Sequence, residues 1–285
     1  MRKAPRGARA LPRAVLGAAA AAIGGLYATV TPAAEARNAH AGAASCCNVV
    51  ELRQYTLHPQ RFDIFTALFE REFIEPQEAA GITVIGQFRD LDDPNRFVWL
   101  RGFADMEARA HALETFYGGA LWKSLRDEAN ANFVDTDNVL LLRPASVDGA
   151  IDLHGLARTP RGTPVDSSGL VVVAVYPVDR ADADEFKRWF ERDMKPALAQ
   201  AGIEISGWFE TEPAPNTFPR LPVREGEHML VWIARFGERK SGDAALRELT
   251  RSPLWRDTLG PGLRRRLRGM PQLLRLEPTA RSLLR

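Results

Sequence analysis

Between residues 49 and 57 apolar and polar side chains alternate. Val50, Leu52 and Gln54 fall on one face and Glu51, Arg53 and Tyr55 on the other, which is the period-two pattern of a strand. Phe65, Leu68, Phe69 and Phe73 then recur at helical spacing and predict a helix over 63–80, stopped by Gly81 and kinked in its last turn by Pro76. Apolar strands at 83–89 and 96–103 flank Asp92-Asp93-Pro94-Asn95, a turn by its chemistry. A helical region over 105–132, broken at Gly118-Gly119, and a strand at 138–143 complete the series. The same succession returns later: strand 170–178, helix 182–201, strands 204–211 and 228–236, a helical stretch around 244–267, and strand 272–277.

The return is a true repeat. Tyr55 matches Tyr176, Phe69-Glu70-Arg71 matches Phe190-Glu191-Arg192, Ala80-Gly81-Ile82 matches Ala201-Gly202-Ile203, and Gly86 matches Gly207, all at an offset of 121. After a longer, proline-rich hairpin loop at 213–227 the offset becomes 133. Val98-Trp99 then meets Val231-Trp232, Phe103 meets Phe236, and Leu121-Trp122 meets Leu254-Trp255. Each copy reads βαββαβ, the ferredoxin-like unit, which leaves one sheet face uncovered. The predicted fold is therefore α+β: two tandem ferredoxin-like units packing their open faces together as a pseudo-dimeric α/β barrel. Boundaries follow at 1–45 (leader or extension), 46–144 (first unit), 145–168 (a Gly/Pro/Ser-rich linker) and 169–285 (a diverged second unit). Tandem copies remove the need to dimerise merely to cover the sheets, although a homo-oligomer stays possible.

Charge changes the picture mainly at the ends. Residues 1–45 hold six Lys/Arg and one acid, so an overall net of +2 becomes −3 for the rest of the chain. That balance argues against a nucleic-acid partner, and Arg264-Arg265-Arg266-Leu267-Arg268 reads as a solvated helix face. A basic start, an Ala/Gly-rich run at 14–30 and Ala34-Glu35-Ala36 form the parts of a secretory signal; an organelle transit peptide and a downstream translation start are the other readings. The protein is expected to be exported if residues 1–36 act as a signal, and cytoplasmic if translation starts downstream. No stable membrane span is expected. Cys46 and Cys47 are the two cysteines, adjacent and poorly placed for a disulfide, so none is expected in the folded domains.

Several stretches together resemble a NIPSNAP domain: Val50-Glu51-Leu52-Arg53-Gln54-Tyr55, Phe69-Glu70-Arg71-Glu72-Phe73, Val84-Ile85-Gly86-Gln87-Phe88, Arg96-Phe97-Val98-Trp99-Leu100-Arg101-Gly102-Phe103, and Phe116-Tyr117-Gly118-Gly119-Ala120-Leu121-Trp122. The resemblance covers 49–144 closely and the second copy loosely. It implies a dimeric α/β-barrel fold, shared with cofactor-free monooxygenases, and no agreed enzymatic activity. Bacterial-looking members resemble the chain from about Cys46 onward, which favours the downstream start.

The repeat supplies an internal control for function. Residues kept in both copies, such as Glu70-Arg71, Trp99/Trp232 and Trp122/Trp255, read as helix-surface pairs and core aromatics. Elsewhere the copies part: Glu51 becomes Val172, Arg53 becomes Ala174, Gln87 becomes Trp208 and Arg101 becomes Ala234. Glu51, Arg53, Tyr55, Gln87, Trp99 and Arg101 are therefore the candidate ligand-binding set, with the two arginines suited to an anion. A barrel-lining or strand-face network without a ligand is the competing reading. Glu51 and His58 are the weak candidates for a catalytic base. No cofactor and no metal are expected: the histidines lack ligand spacing, Asp90, Asp92 and Asp93 belong to a turn, and nucleotide-binding and serine-hydrolase motifs do not occur. Three function classes follow: a small-molecule-binding barrel protein, a cofactor-free monooxygenase or isomerase, and a protein-interaction scaffold.

Overall fold

The computed structural model describes residues 47–163 and 168–285; the readings of the leader lie outside the described residues. Eight antiparallel strands close into one barrel: β1 (Val49–Leu57), β2 (Thr83–Asp90), β3 (Arg96–Phe103), β4 (Phe133–Pro144), β5 (Leu170–Pro177), β6 (Ile205–Thr211), β7 (Met229–Phe236) and β8 (Gln272–Pro278). Their order around the barrel is β1-β3-β2-β8-β5-β7-β6-β4, so each copy contributes one four-stranded half. Two short seams join the halves, β2 to β8 around Arg89↔Glu277 and β4 to β6 around Arg143↔Glu210. Pairing the open edges removes them, and eight strands leave an interior that side chains fill. Val50, Leu52, Val98 and Leu100 meet Val171, Val173, Val231 and Ile233 there.

Helices cover the outside of each half. In the first copy these are α1 (Phe62–Leu68), α2 (Ile74–Ala79), α3 (Met106–Gly118) and α4 (Ala120–Asn130); in the second, α5 (Ala183–Trp189), α6 (Lys195–Gln200), α7 (Arg239–Arg251) and α8 (Gly260–Arg266). The kink expected at Pro76 takes a different form. A π-helical turn, Phe69–Phe73, lies between α1 and α2, and its counterpart Phe190–Met194 precedes Pro196 in the second copy. Proline lacks an amide N–H and crowds the carbonyl four residues back, so a widened turn just upstream relieves both in each copy.

Alternation also sorts the side chains of β1 and β3. Val50 and Leu52 enter the barrel, whereas Tyr55, Leu57, Trp99 and Phe103 join the apolar layer under the first-copy helices. β4 starts five residues before the predicted strand, because none of residues 133–138 is fully buried and they carry no alternation to read. The linker is packed: Ile151 is buried in the barrel cluster, and Arg158 donates to the Val84 carbonyl at 2.6 Å. Cys47 is disulfide-bonded, contrary to expectation. Among the described residues no helix is long and apolar enough to cross a membrane.

Glu70 does not pair with Arg71, which reaches Glu72 instead. Its carboxylate accepts from Thr279 Oγ1 (2.7 Å) and the Arg281 amide (2.8 Å), pinning the C-terminal segment to the first copy. Arg281 also pairs with Glu75, and hydrogen bonds from Arg281 and Arg161 hold the Glu75 carboxyl down at about 2 from 4.5. A depressed carboxyl stabilises the fold above its unfolded value and loses that contribution as pH falls toward the folded one. The stability difference between wild type and Glu75→Gln is therefore expected to be constant above about pH 5 and to vanish near pH 2. Urea titrations across that range measure it; a difference independent of pH would refute the assignment.

Candidate functional site

β1 and β3 pair with Glu51 opposite Arg101 and Arg53 opposite Trp99, while β2 sets Gln87 opposite Trp99. Strand register thus gathers the four polar residues and the tryptophan on the helix-facing side of one sheet, with Tyr55 two residues beyond Arg53. Glu51 is the hub. Its Oε2 accepts from Arg53 Nη1 at 2.6 Å and from Arg101 Nε at 2.7 Å; its Oε1 accepts from Arg109 Nε at 2.7 Å. Arg109 comes down from α3. All four charged side chains are at most 1% exposed.

Each guanidinium has further partners. Arg53 Nε donates to the Tyr55 hydroxyl at 2.8 Å, and Arg101 Nη1 reaches Gln77 Oε1 and the Tyr117 hydroxyl, both at 3.3 Å. Arg109 Nη1 donates to Asn216 Oδ1 at 3.0 Å and Thr217 Oγ1 at 3.1 Å. Those last two belong to the 213–227 loop of the second copy, which folds over the first. Several buried polar atoms nevertheless have no hydrogen-bond partner: Arg101 Nη2, Arg109 Nη2, Trp99 Nε1 and both amide atoms of Gln87.

The electrostatics follow from one carboxylate serving three cations. Burial pushes the Glu51 carboxyl up, but the charges of Arg101, Arg53 and Arg109 outweigh it and hold the group well below the usual carboxylate range. Burial pulls Arg109 down, and Glu51 only partly restores it. Among the described residues each arginine has Glu51 as its sole ion-pair partner. Three positive charges against one negative leave a buried surplus of two. So strongly acidic a carboxyl is a poor proton acceptor, which weakens Glu51 as a base.

Beside this cluster lies a cavity of about 80 Å³. Tyr55, Trp99, Tyr117 and Gln77 face it from the cluster side, Phe65, Phe69, Phe73, Phe116, Trp122 and Phe133 form its aromatic wall, and Leu221 of the 213–227 loop also lines it. The aromatic rings meet edge to face, as in Tyr55–Trp99 at 6.0 Å and Tyr117–Trp122 at 4.9 Å between centroids. A cavity of this size exceeds the ~10–15 Å³ that one water requires and suits a small ligand group.

The second copy shows the same layer without charge. Phe190 stacks on Trp208 at 4.2 Å, and Trp232 Nε1 donates to the Tyr176 hydroxyl at 3.0 Å. Val172, Ala174, Leu198 and Ala234 are buried in one apolar cluster. Gln77 and Arg109 escaped the strand-by-strand comparison because they sit on helices. The signal was available: the 121 offset sets Gln77 against Leu198, and the 133 offset sets Arg109 against Gly242. A Cβ at Gly242 would come within 2.6 Å of Leu170, so no side chain fits where Arg109 runs in the first copy. The loop residues Asn216, Thr217, Phe218 and Leu221 had no comparable signal, having no counterpart in the first copy.

His58 stands apart from the cluster. It is exposed beyond the end of β1, with its amide bonded to the Asn132 carbonyl at 2.9 Å. Asp90 accepts from the Asp92 amide and Arg96, contacts that stabilise a turn. Among the described residues no group of three His, Cys, Asp or Glu is arranged to hold a metal ion.

The family model for NIPSNAP matches residues 50–147. A NIPSNAP-like domain protein from Burkholderia xenovorans is 31% identical over 35% of this chain and 86% of its own, with a TM-score of 0.33. A NIPSNAP family protein of unknown function from Agrobacterium tumefaciens is 20% identical over 36% of this chain and 93% of its own, with a TM-score of 0.34. Both halves are spanned by a protein from Lactobacillus acidophilus provisionally named a monooxygenase: 12% identity, 82% of this chain, 96% of that one, TM-score 0.48. Among curated proteins nothing matches. With the matched domain on the half of the barrel that carries the arginine cluster, the chain belongs to the NIPSNAP family.

Proposed function

We propose that the first copy binds a small amphipathic anion, with its apolar body in the aromatic cavity and its anionic group on the guanidinium cluster. The observation that carries this reading is the surplus of two buried positive charges, since a buried charge without a counter-ion is strongly unfavourable. A purely structural network would explain ion pairing but not the surplus. Nor does the fold require such a network: the second copy builds the same sheet-and-helix layer around Val172, Ala174 and Ala234. Unpartnered donors on Arg101, Arg109 and Trp99 supply what an oxyanion accepts.

Arg53→Ala with Arg101→Ala tests the reading cleanly, because it leaves Glu51 and Arg109 as a neutral pair. Native mass spectrometry of protein purified from its own host is expected to show a bound mass that denaturation releases and that the double variant lacks. The variant removes the unpartnered Arg101 donor, and a hydrogen bond to a charged group contributes about 1.5–3 kcal/mol, so affinity for that molecule should fall at least ~10-fold. Retention of the same mass by a folded double variant would end the proposal.

A further inference from the structure

The second copy carries a charge feature that the first lacks. Residues 239–268, spanning α7, a π-helical turn (Trp255–Leu259) and α8, contain nine Lys/Arg and three Asp/Glu, a surplus of six cations. The corresponding residues 106–135 of the first copy contain three Lys/Arg and five Asp/Glu, a surplus of two anions. Beyond residue 45, everything outside 239–268 sums to −9. Among the described residues, 239–268 therefore form a basic segment on an acidic body.

Placement follows from helix geometry. On α7, Lys240, Arg247 and Arg251 recur at i, i+7 and i+11, which at about 100° per residue brings them within roughly 40° of one another. Gly242 and Leu249, the buried positions, lie on the opposite side. α8 buries Leu263 in the same layer as Leu249 and exposes Arg264 and Arg265. Lys240, Arg247, Arg251, Arg256, Arg264 and Arg265 have no ion-pair partner among the described residues, although acids are plentiful elsewhere on the chain. Between the two helices Leu254 is 45% exposed, flanked by Arg251 and Arg256.

We propose that this face docks on a bilayer containing anionic phospholipid, the arginines meeting headgroup phosphates and Leu254 entering the interface. Basic residues beside a membrane gain from its negative surface potential, and an apolar side chain between them adds burial. The acidic remainder is repelled from the same surface and so fixes the orientation. Nucleic acid is the less favoured occupant: none of the large apolar side chains exposed among the described residues is aromatic, and Trp255, the aromatic residue within 239–268, is half-buried against the second-copy apolar layer, which limits its use as a stacking platform.

The test is flotation of the full chain with phosphatidylcholine vesicles, with or without phosphatidylglycerol. Binding is expected only when phosphatidylglycerol is present, and it should weaken as salt rises. The basic residues contribute roughly fivefold each near the surface, so K240Q/R247Q/R251Q/R264Q/R265Q should lose at least a hundredfold in partitioning. These side chains are exposed and unpaired, so the variant should keep its melting temperature. L254D should weaken binding without removing the salt dependence. Wild-type binding by the five-residue variant would show that the basic leader is responsible and overturn the proposal. So would equal binding to uncharged vesicles, or retention of single-stranded RNA without any vesicle binding.

Discussion

Glu51→Gln is expected to destabilise the protein by about 3–5 kcal/mol, because breaking a buried ion pair strands its partners. Here one substitution strands three guanidiniums, Arg53, Arg101 and Arg109, whose sole ion-pair partner among the described residues is Glu51. A domain stable by ~5–15 kcal/mol loses a large fraction of its margin that way. In a chain of this size each kcal/mol moves the melting temperature by about 2–4 °C, so a fall of at least ~6 °C should be seen. Gln keeps the shape and one acceptor, which confines the change to charge. The companion variant Glu51→Leu with Arg53, Arg101 and Arg109 all →Met removes the whole cluster. It should recover most of the stability, since replacing buried ion groups by apolar residues of similar volume is often neutral or favourable. A melting temperature for Glu51→Gln within a degree of wild type would show that the three cations do not depend on that carboxylate.

The contrast between these variants reflects what the chain itself records. The fold was legible because the same residues recur in register: Phe69 and Phe190 at 121, Trp99 and Trp232 at 133, with strand alternation between them. Alternation also placed Glu51, Arg53 and Tyr55 on one face, and the pairing of β1 with β3 joins Arg101 and Trp99 to them. What alternation could not say is which side of the sheet that face meets. Val50 and Leu52 turn inward to the other copy, so the charged face lies under its own helices rather than inside the barrel. Arg109 and Gln77 were written in the repeat but only at helical positions. Arg109 reads alone as an ordinary surface residue of α3. The 213–227 loop was recognisable as an insertion, yet its role depends on contacts between residues more than a hundred positions apart, for which local pattern carries no information.

That loop supplies the second large effect. Phe218→Ala is expected to cost about 3–5 kcal/mol, the range for truncating a buried aromatic, although by sequence it sits in a hairpin loop. Phe218 is buried in the first-copy layer, with its ring 5.8 Å from that of Tyr117. Asn216 organises the approach: its Oδ1 accepts from Arg109 Nη1 and the Phe218 amide, both at 3.0 Å, and its Nδ2 donates to the Leu221 carbonyl at 2.9 Å. The loop ends are fixed to β4, where the Leu141 and Val139 carbonyls accept from the Glu212 and Arg224 amides at 2.8 Å. Anchored at both ends and packed at its centre, the loop contributes core to the opposite copy. It also lines the cavity through Leu221, so Phe218→Ala should enlarge the cavity as well as loosen the fold. Thermal unfolding and hydrogen exchange together separate the two consequences: faster exchange confined to β4, α3 and the loop, alongside a melting temperature lower by ~6–20 °C. A loss below about 1 kcal/mol with unchanged exchange at α3 would mean that the second copy does not complete the first, and the charged site would then lie open to solvent.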